Sequence, residues 1–188
     1  MLNRFTIIVF LTWALSCGAQ IVKVQTPFYQ SVYDCQTLCP KQVSWTVRQS
    51  DIGTVTREPS WRFTNTLLDT LGVATHADFN KSGYDRGHMC PAADRSHDLR
   101  AMRSTFELVN VAPQAPRLNR GPWKRTENWC RTAALLYGVV EVVTLPVFLN
   151  RDTVRVGSHR VAVPHAFFKA AWLPANDSII GVWFFFNK

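Results

Sequence analysis

The segment Tyr84-Asp85-Arg86-Gly87-His88-Met89-Cys90-Pro91-Ala92-Ala93-Asp94 decides how the rest of the chain is interpreted. His88 follows an Asp-Arg-Gly turn, and an unperturbed imidazole pKa of about 6.5 leaves it mostly neutral at pH 7. Gly87 lets the backbone come close to a ligand, and the planar guanidinium of Arg86 matches phosphate oxygens. This combination indicates a general base held beside a phosphate, whose activity declines as the pH falls through the pKa of the histidine.

Length and charge narrow the class of protein. The chain has 188 residues and a formal net charge of +8, and at this length folding buries about 70% of the surface of the unfolded chain. The basic excess favours polyanions, with nucleic acid first and anionic membranes second. No internal repeat, Gly/Ser linker, Rossmann motif or P-loop motif occurs, so the sequence predicts a single domain without those nucleotide-binding folds.

The first 19 residues are typical of a signal peptide. Arg4 precedes an apolar run at residues 5–15, and Cys17-Gly18-Ala19 offers a small-residue cleavage site. The run is shorter than the roughly 20 residues that a membrane helix needs. We therefore predict a signal peptide at residues 1–19, a domain at residues 20–188, a secreted or periplasmic location, and no stable membrane insertion. A lipoprotein anchor at Cys17 is less favoured, because the usual leucine three places earlier is missing.

Four cysteines follow this leader, and they allow three pairings. They are Cys35, Cys39, Cys90 and Cys130. Disulfides are common in exported proteins, and the favoured pairs are Cys35–Cys39 and Cys90–Cys130. The second pair ties the histidine motif to a downstream helix, so reductant is expected to lower stability and activity together. A zinc site at the first pair and buried free thiols remain open alternatives.

Hydrophobic periodicity predicts an α+β fold with a mostly antiparallel sheet and flanking helices. Residues 41–56 alternate apolar and polar side chains, as half-buried strands do. Residues 64–77 are turn-rich and predict an irregular loop. A helix is expected to begin after Pro122 and to end near Gly138. Further strands are predicted at residues 109–112, 139–148 (broken at Pro146), 161–163 and 179–186.

Oxygen-bearing side chains lie about thirty residues beyond the histidine. Asn119 precedes the predicted helix, and Glu127 follows about two turns later, displaced by roughly 80° around a regular helix axis. Both could therefore face one cleft, where a hard ion such as Mg²⁺ takes oxygen ligands and keeps several waters. Arg131 follows Glu127 at i+4. Taken alone, these residues would be a helix cap and a solvated ion pair, but the histidine motif upstream favours a metal site.

Basic residues cluster beside this predicted metal site. They are Arg117, Arg120, Lys124 and Arg125, and they are suited to contact a phosphate backbone without reading bases. A merely solvated basic face is an equally good interpretation of the cluster alone. A general base supplies only about 10² to 10⁴ in rate, whereas enzymes reach about 10⁶ to 10¹⁷, so the site also needs a metal ion or positioned cations.

These segments together resemble the DNA/RNA non-specific endonuclease family, which shares a ββα-metal core. The family signature resembles residues 85–88 followed by Pro91 and Asp94. A second block resembles residues 105–114 and 118–127, and a softer match covers residues 161–169. The resemblance extends over roughly residues 40–170, and its first two blocks are highly specific.

The resemblance implies a Mg²⁺-dependent, sequence-non-specific endonuclease that acts on DNA and RNA and leaves 5′-phosphate ends, with Mn²⁺ as a possible substitute. It implies His88 as the general base, Asn119 as the direct ligand of the ion, and Glu127 as the carboxylate that holds water around it. Other matching active-site positions are Asp85, Arg86, Asn110 and Arg131, and Arg57 and Arg62 are candidates for an upstream substrate-binding arginine.

The alternative is a secreted nucleic-acid-binding protein that has the same fold but no turnover. The presence of His88, Asn119 and Glu127 together argues against it, because a pure binder does not need a base beside a metal ligand. The sequence therefore favours an enzyme.

Overall fold

The structure is a computed structural model that describes residues 21–68, 74–149 and 153–188. The signal peptide predicted at residues 1–19 lies outside the described residues. The strands are β1 (Ile21–Gln25), β2 (Gln30–Asp34), β3 (Cys39–Arg48), β4 (Asp85–His88), β5 (Val111–Gln114), β6 (Val139–Val147), β7 (Arg155–Val156), β8 (Val161–Ala162), β9 (Ala166–Leu173) and β10 (Ser178–Phe186). The helices are α1 (Leu99–Ser104), α2 (Pro116–Leu118) and α3 (Lys124–Tyr137).

Six strands form an antiparallel sheet in the order β1-β2-β3-β6-β9-β10, and β4 pairs with β5 as a separate antiparallel ribbon. One face of the large sheet is buried: in β3 the inward side chains Val43 and Val47 have no exposed surface, and Val140 in β6 is equally buried. Helix α3 packs on β3 and β6. This arrangement confirms the predicted α+β fold, with the β4–β5 ribbon and α3 forming the ββα unit.

Two strand predictions were wrong in detail. After β3 the chain leaves the sheet through a turn at Gln49–Asp51, so residues 52–56 are irregular and Gly53 N–H instead donates to Ser96 Oγ (2.9 Å). Pro146 does not break β6. The ladder to β3 ends at Thr144, so at Pro146 the strand pairs only with β9, and its missing N–H leaves no hydrogen bond unmade.

Helix α3 begins and ends where the sequence predicts, after Pro122 and at Gly138, but the turn that precedes it differs from the prediction. It ends at Gly138, whose φ of 84° suits glycine. Before it, residues Asn119–Trp123 form a wide helical turn that is kinked at Gly121 (φ −109°, ψ −109°). Because Asn119 is not on a regular helix with Glu127, the angular estimate from 3.6 residues per turn does not apply. No helix in the described part of the chain is long and apolar enough to cross a membrane.

The predicted disulfides are wrong, because Cys35, Cys39, Cys90 and Cys130 are all free thiols. Cys39 is buried and its Sγ contacts Ala162 O (3.3 Å), while Cys35 lies on a partly exposed turn. Burial raises the pKa of Cys90 and of Cys130 to about 12, so both behave as small apolar core residues. The described residues also contain no group of three His, Cys, Asp or Glu side chains that could complete a zinc site at Cys35 and Cys39.

Reductant is therefore expected to leave the protein unchanged, because no covalent cross-link joins these four cysteines. Dithiothreitol should shift neither the melting temperature nor the activity. The measurement is intact mass before and after reduction, with thiol alkylation of the denatured protein as the control. A mass gain on reduction, together with a lower melting temperature, would restore the disulfide hypothesis.

Candidate active site

His88 is the last residue of β4, where the β4–β5 ribbon holds it opposite Val111. The Gln114 side chain of β5 packs over Gly87, and it can do so because Gly87 has no side chain: a Cβ there would lie 2.4 Å from Gln114 Oε1. The Asn110 amide fixes the next residues, since its Oδ1 accepts from Cys90 N (2.8 Å) and its Nδ2 donates to Cys90 O (2.9 Å). The glycine predicted from the motif is thus a packing requirement of the ribbon.

The imidazole of His88 is packed against aromatic rings. Its centroid lies 5.0 Å from that of Phe63 and 4.9 Å from that of Phe106. Nε2 is buried and has no hydrogen-bond partner among the described residues. Burial, with the charge of Arg57 as a second cause, lowers the pKa of His88 to about 3. The imidazole is therefore neutral, and able to accept a proton, well below pH 7.

This pKa changes the expected pH dependence. The unperturbed value predicts an acid limb near pH 6.5, but the lowered pKa moves the protonation of His88 to about pH 3. At saturating Mg²⁺, kcat/KM is expected to show no limb due to His88 between pH 5 and 8. Circular dichroism at each pH serves as the folding control. A limb near pH 6.5 that does not move with Mg²⁺ concentration would contradict the burial of this imidazole.

Asp85, Asn119 and Arg120 form a connected group beside the histidine. Arg120 pairs with Asp85 through two hydrogen bonds (Nη2–Oδ1 2.6 Å, Nε–Oδ2 2.8 Å), and Asn119 Nδ2 donates to Asp85 Oδ2 (2.9 Å). A carboxylate only accepts hydrogen bonds, so the amide nitrogen of Asn119 must face Asp85. Its Oδ1 consequently points elsewhere. Partial burial would raise the pKa of Asp85, but the bonds from Arg120 and Asn119 outweigh it and the pKa is lowered.

Glu127 lies in the first turn of α3 in a poorly solvated position. Burial raises the pKa of Glu127 to about 7, although the nearby charge of Lys169 opposes the shift. Lys169 is only 1% exposed, and its Nζ lies 3.9 Å from the ring centroid of Trp123. A cation bound next to Glu127 would favour its ionised form. Lys169 was not predicted as a site residue, because in the sequence it appears only within the weaker family match at residues 161–169.

The residues present fit a hard divalent ion. Asn119 offers an amide oxygen that Asp85 orients, and Glu127 offers a carboxylate whose charge is only partly compensated. The described residues contain no cluster of three or more His, Cys, Asp or Glu side chains for a metal. A site with one or two protein oxygens and several waters is the kind that Mg²⁺ accepts. These donors therefore fit the predicted ion, and the assignment of Asn119 as its direct ligand stays a prediction.

Contacts with residues outside the histidine motif hold the Arg86 guanidinium in place. Its Nη2 donates to His76 O (2.8 Å) and Asn80 Oδ1 (2.6 Å), and its guanidinium lies 5.6 Å from the Phe79 ring centroid. His76 itself lies in the cationic surroundings of Arg86 and Arg62, and burial followed by these two charges lowers its pKa. Sequence reasoning missed His76, because no short motif surrounds it.

Asp94, at the end of the histidine motif, forms buried hydrogen bonds, one of which joins the motif to α3. It is completely buried, accepts from Trp45 Nε1 (2.9 Å), and pairs with Arg131 Nη1 (2.6 Å). Arg131 also bonds Asn128. The Asn110 amide is buried and bonded to Cys90 and Thr105, and the Arg131 guanidinium is engaged with Asp94. The catalytic roles predicted for these two residues stay predictions.

The predicted substrate-binding residues lie on the surface around this group. Arg57, Arg117, Arg120 and Lys124 are exposed, as is Arg62. Arg57 lies 5.8 Å from the Phe106 ring centroid and is close enough to lower the pKa of His88. The Arg120 side chain is 73% exposed, and its guanidinium pairs with Asp85. It therefore belongs both to the group around Asp85 and to the basic surface.

Three hydrogen bonds connect the histidine motif to the segment that begins at Asn119. Asp85 of β4 bonds Asn119, Trp123 Nε1 donates to His88 O (3.2 Å), and Asp94 bonds Arg131 of α3. The side chains of these two segments offer a neutral imidazole, an amide oxygen, a carboxylate and arginines.

Comparison with known proteins shows the family of this chain. The sequence model of the DNA/RNA non-specific endonucleases matches residues 16–184. Mitochondrial endonuclease G from Bos taurus is 41% identical over 111 residues, which cover 54% of this chain and 37% of the relative. Mitochondrial nuclease 1 from Schizosaccharomyces pombe is 35% identical over 156 residues, which cover 75% and 48%. The crystal structure of an EndoG/EndoGI complex superposes with a TM-score of 0.79 at 25% identity, covering 88% of this chain and 74% of that chain.

The chain spans less than half the length of these two curated relatives. The family match covers most of the single domain predicted at residues 20–188, and that boundary stays a prediction.

The predicted secreted or periplasmic location was wrong by this comparison. Relatives from Bos taurus, Homo sapiens, Schizosaccharomyces pombe, Danio rerio and Saccharomyces cerevisiae are all described as mitochondrial nucleases. The signal peptide on which the prediction rested, and the less favoured anchor at Cys17, have no support among these relatives.

Proposed function

Since this chain belongs to the DNA/RNA non-specific endonuclease family, we propose that it is a metal-dependent endonuclease. It hydrolyses phosphodiester bonds of DNA and RNA without sequence preference and leaves 5′-phosphate ends. The observation that supports this proposal best is that one short strand, β4, carries both His88 and Asp85, and that Asp85 accepts a hydrogen bond from Asn119, the predicted metal ligand.

His88 acts as the general base. Nε2 is buried, so Nδ1 is the nitrogen that takes a proton from the attacking water. The low pKa keeps this nitrogen unprotonated across the neutral pH range. A base of this kind contributes about 10² to 10⁴ in rate, and the remaining acceleration has to come from the charges around the phosphate.

Asn119 and Glu127 hold Mg²⁺, for which Mn²⁺ can substitute. When bound, the ion stabilises negative charge on the phosphate and on the leaving oxygen. Asp85 keeps the oxygen of Asn119 turned towards this position by occupying the amide nitrogen. Arg86 and Arg57 supply fixed positive charge on the side of the base, where guanidinium groups pair with phosphate oxygens.

Substrate is held mainly through its phosphate backbone. Arg117 and Lys124 are exposed on either side of the turn that carries Asn119, and Arg62 extends the basic surface on the side of His88. Contacts of this kind position a nucleic acid without reading its bases. They are consistent with action on both DNA and RNA.

Salt dependence tests these contacts. Replacing Lys124 or Arg117 with glutamine is expected to reduce the slope of log K against log salt concentration by about 0.9 for each lost contact with duplex DNA. Binding is measured in a His88→Ala background, so that the DNA stays intact. The matched control is Lys23→Gln on β1, whose side chain is exposed. An unchanged slope for both test variants would remove these residues from the binding surface.

The function itself is tested with plasmid DNA and total RNA. The full chain is incubated with Mg²⁺, with EDTA, and with EDTA followed by excess Mg²⁺, alongside a His88→Ala control. Cutting that requires the metal and His88 supports the proposal, and ends that accept a kinase label only after phosphatase treatment confirm 5′-phosphate products. Binding without cutting under Mg²⁺ or Mn²⁺ would instead identify a nucleic-acid-binding protein with this fold.

A further inference from the structure

The ring of Phe106 is the centre of an aromatic group around the base. Phe106 is 1% exposed and lies between α1 and the turn Leu108–Asn110. Its centroid is 4.9 Å from that of His88 at an interplanar angle of 81°, 4.9 Å from Phe63, and 5.2 Å from Trp61. We call Trp61, Phe63, His88 and Phe106 the base cluster.

Two arginines also lie over this ring. Arg57 lies 5.8 Å and Arg103 lies 5.9 Å from the Phe106 centroid, distances at which a guanidinium is attracted to an aromatic face. Arg103 further lies 5.5 Å from the Trp61 centroid, and its Nη1 donates to Arg62 O (2.8 Å). Phe106 is therefore the residue at which the base, Arg57 and Arg103 converge.

These contacts fasten a segment that has little other structure. Residues 52–63, which carry Arg57 and Arg62, contain no helix or strand. The segment rejoins regular packing at Thr64, whose N–H donates to Phe106 O (2.9 Å). An irregular surface segment is mobile unless contacts hold it. The Phe106 carbonyl holds the end of the segment at Thr64, and the Phe106 ring contacts Arg57 within the segment.

His88 depends on packing for its orientation. An imidazole that works in catalysis is usually oriented by a hydrogen bond to its second ring nitrogen. Nε2 of His88 has no such partner among the residues that the structure describes. An aromatic ring is a weak acceptor for an N–H group, and Phe106 stands nearly perpendicular to the imidazole. Loss of this ring would therefore remove packing that holds the orientation of the imidazole, and with it the balance between its two tautomers.

We propose that Phe106 is a positioning residue for phosphodiester hydrolysis, whose ring fixes His88 and Arg57 relative to each other so that both act on one phosphate. This inference rests on the proposed function. The ring does not touch the substrate; it holds the two groups that do. Small misplacements matter because a shift of about 1 Å can cost about 100-fold in rate.

The test is a double-mutant cycle between Phe106 and Arg57. Phe106→Leu removes the ring and is expected to lower kcat about 10- to 100-fold with little change in KM. Arg57→Ala should then have little further effect, because Arg57 is no longer aligned with His88. Phe106→Tyr, which keeps the ring, should restore activity to within about tenfold of the wild type. Losses that simply multiply in the double variant would overturn the proposal.

Two additional measurements separate alignment from a loss of folding or of function. Phe106→Met fills the core with a flexible side chain of similar volume, so it replaces the leucine variant in the cycle if that variant does not fold. The ¹⁵N shifts of the His88 imidazole report its tautomer even in a protein without activity. A single Nε2–H form in the wild type and a mixture in Phe106→Met support the proposal, and identical spectra contradict it. Absence of cutting by the wild type would refute the proposed function separately.

Discussion

Replacing His88 with alanine lowers kcat on plasmid DNA by about 10²- to 10⁴-fold, the contribution expected of a positioned general base. The water then loses its proton acceptor, while the oxygens of Asn119 and Glu127 are unaffected. KM should change little, because phosphate binding depends on the surrounding arginines. The measurement is steady-state cleavage at saturating Mg²⁺, with the melting temperature recorded for each variant.

The matched control for this substitution is His97→Ala. The His97 side chain is exposed and its Nδ1 forms a hydrogen bond with Asp51 O (3.0 Å), so its loss should leave kcat within about twofold of the wild type. If His88→Ala retained a tenth or more of the wild-type kcat, another group would have to be the base. His76, the other imidazole near the arginines, would then be the next residue to replace.

Replacing Asn119 with alanine removes the inner oxygen ligand and is expected to cost about 10²- to 10³-fold in kcat, the loss typical of one preorganised group that stabilises developing charge. Half-maximal activity should also require more Mg²⁺. Asn119→Asp should fail to restore activity, although a carboxylate is ordinarily a good ligand for this ion. The new carboxylate would face Asp85, and only the amide of asparagine can donate to it.

Mg²⁺ titrations of activity and of binding heat distinguish these outcomes. Asn176→Ala, at an exposed turn next to Ser178, is the control. Wild-type affinity for Mg²⁺ in both Asn119 variants would exclude this residue as a ligand. A fully active Asn119→Asp variant would show that Asp85 does not constrain it.

The sequence was sufficient where function depends on short segments. The motif around His88 and the block from Asn119 to Glu127 were enough to predict the ββα unit, which the fold confirms, and to propose a base and an ion, because the residue types and spacings are local. Lys169 beneath Glu127 could not be found in this way. It comes from β9, more than forty residues away, and only the packing of the sheet on α3 brings its charge to the site.

The same limit explains the errors. An even number of cysteines suggested disulfides, but Cys90 and Cys130 are buried free thiols that pack as small apolar side chains. Which cysteines lie close enough to pair depends on the packing of the core, which cannot be read from the sequence. Arg131 at i+4 suggested a pair with Glu127, whereas the structure pairs it with buried Asp94. The Phe106 side chain has no ionisable or metal-binding group, so nothing in the sequence singled it out. Its importance arises from the His88 and Arg57 side chains that distant segments place around its ring.

The link from Asp94 to Arg131 and Trp45 has a consequence for when the enzyme becomes active. Asp94 is buried, so its two bonds form only when β3, the motif and α3 have packed together. Breaking such a buried pair costs about 3 to 5 kcal/mol, a large part of the stability of a small domain. A chain in which these three segments have not yet packed together therefore has no assembled site, and under the proposed function it would not cut nucleic acid.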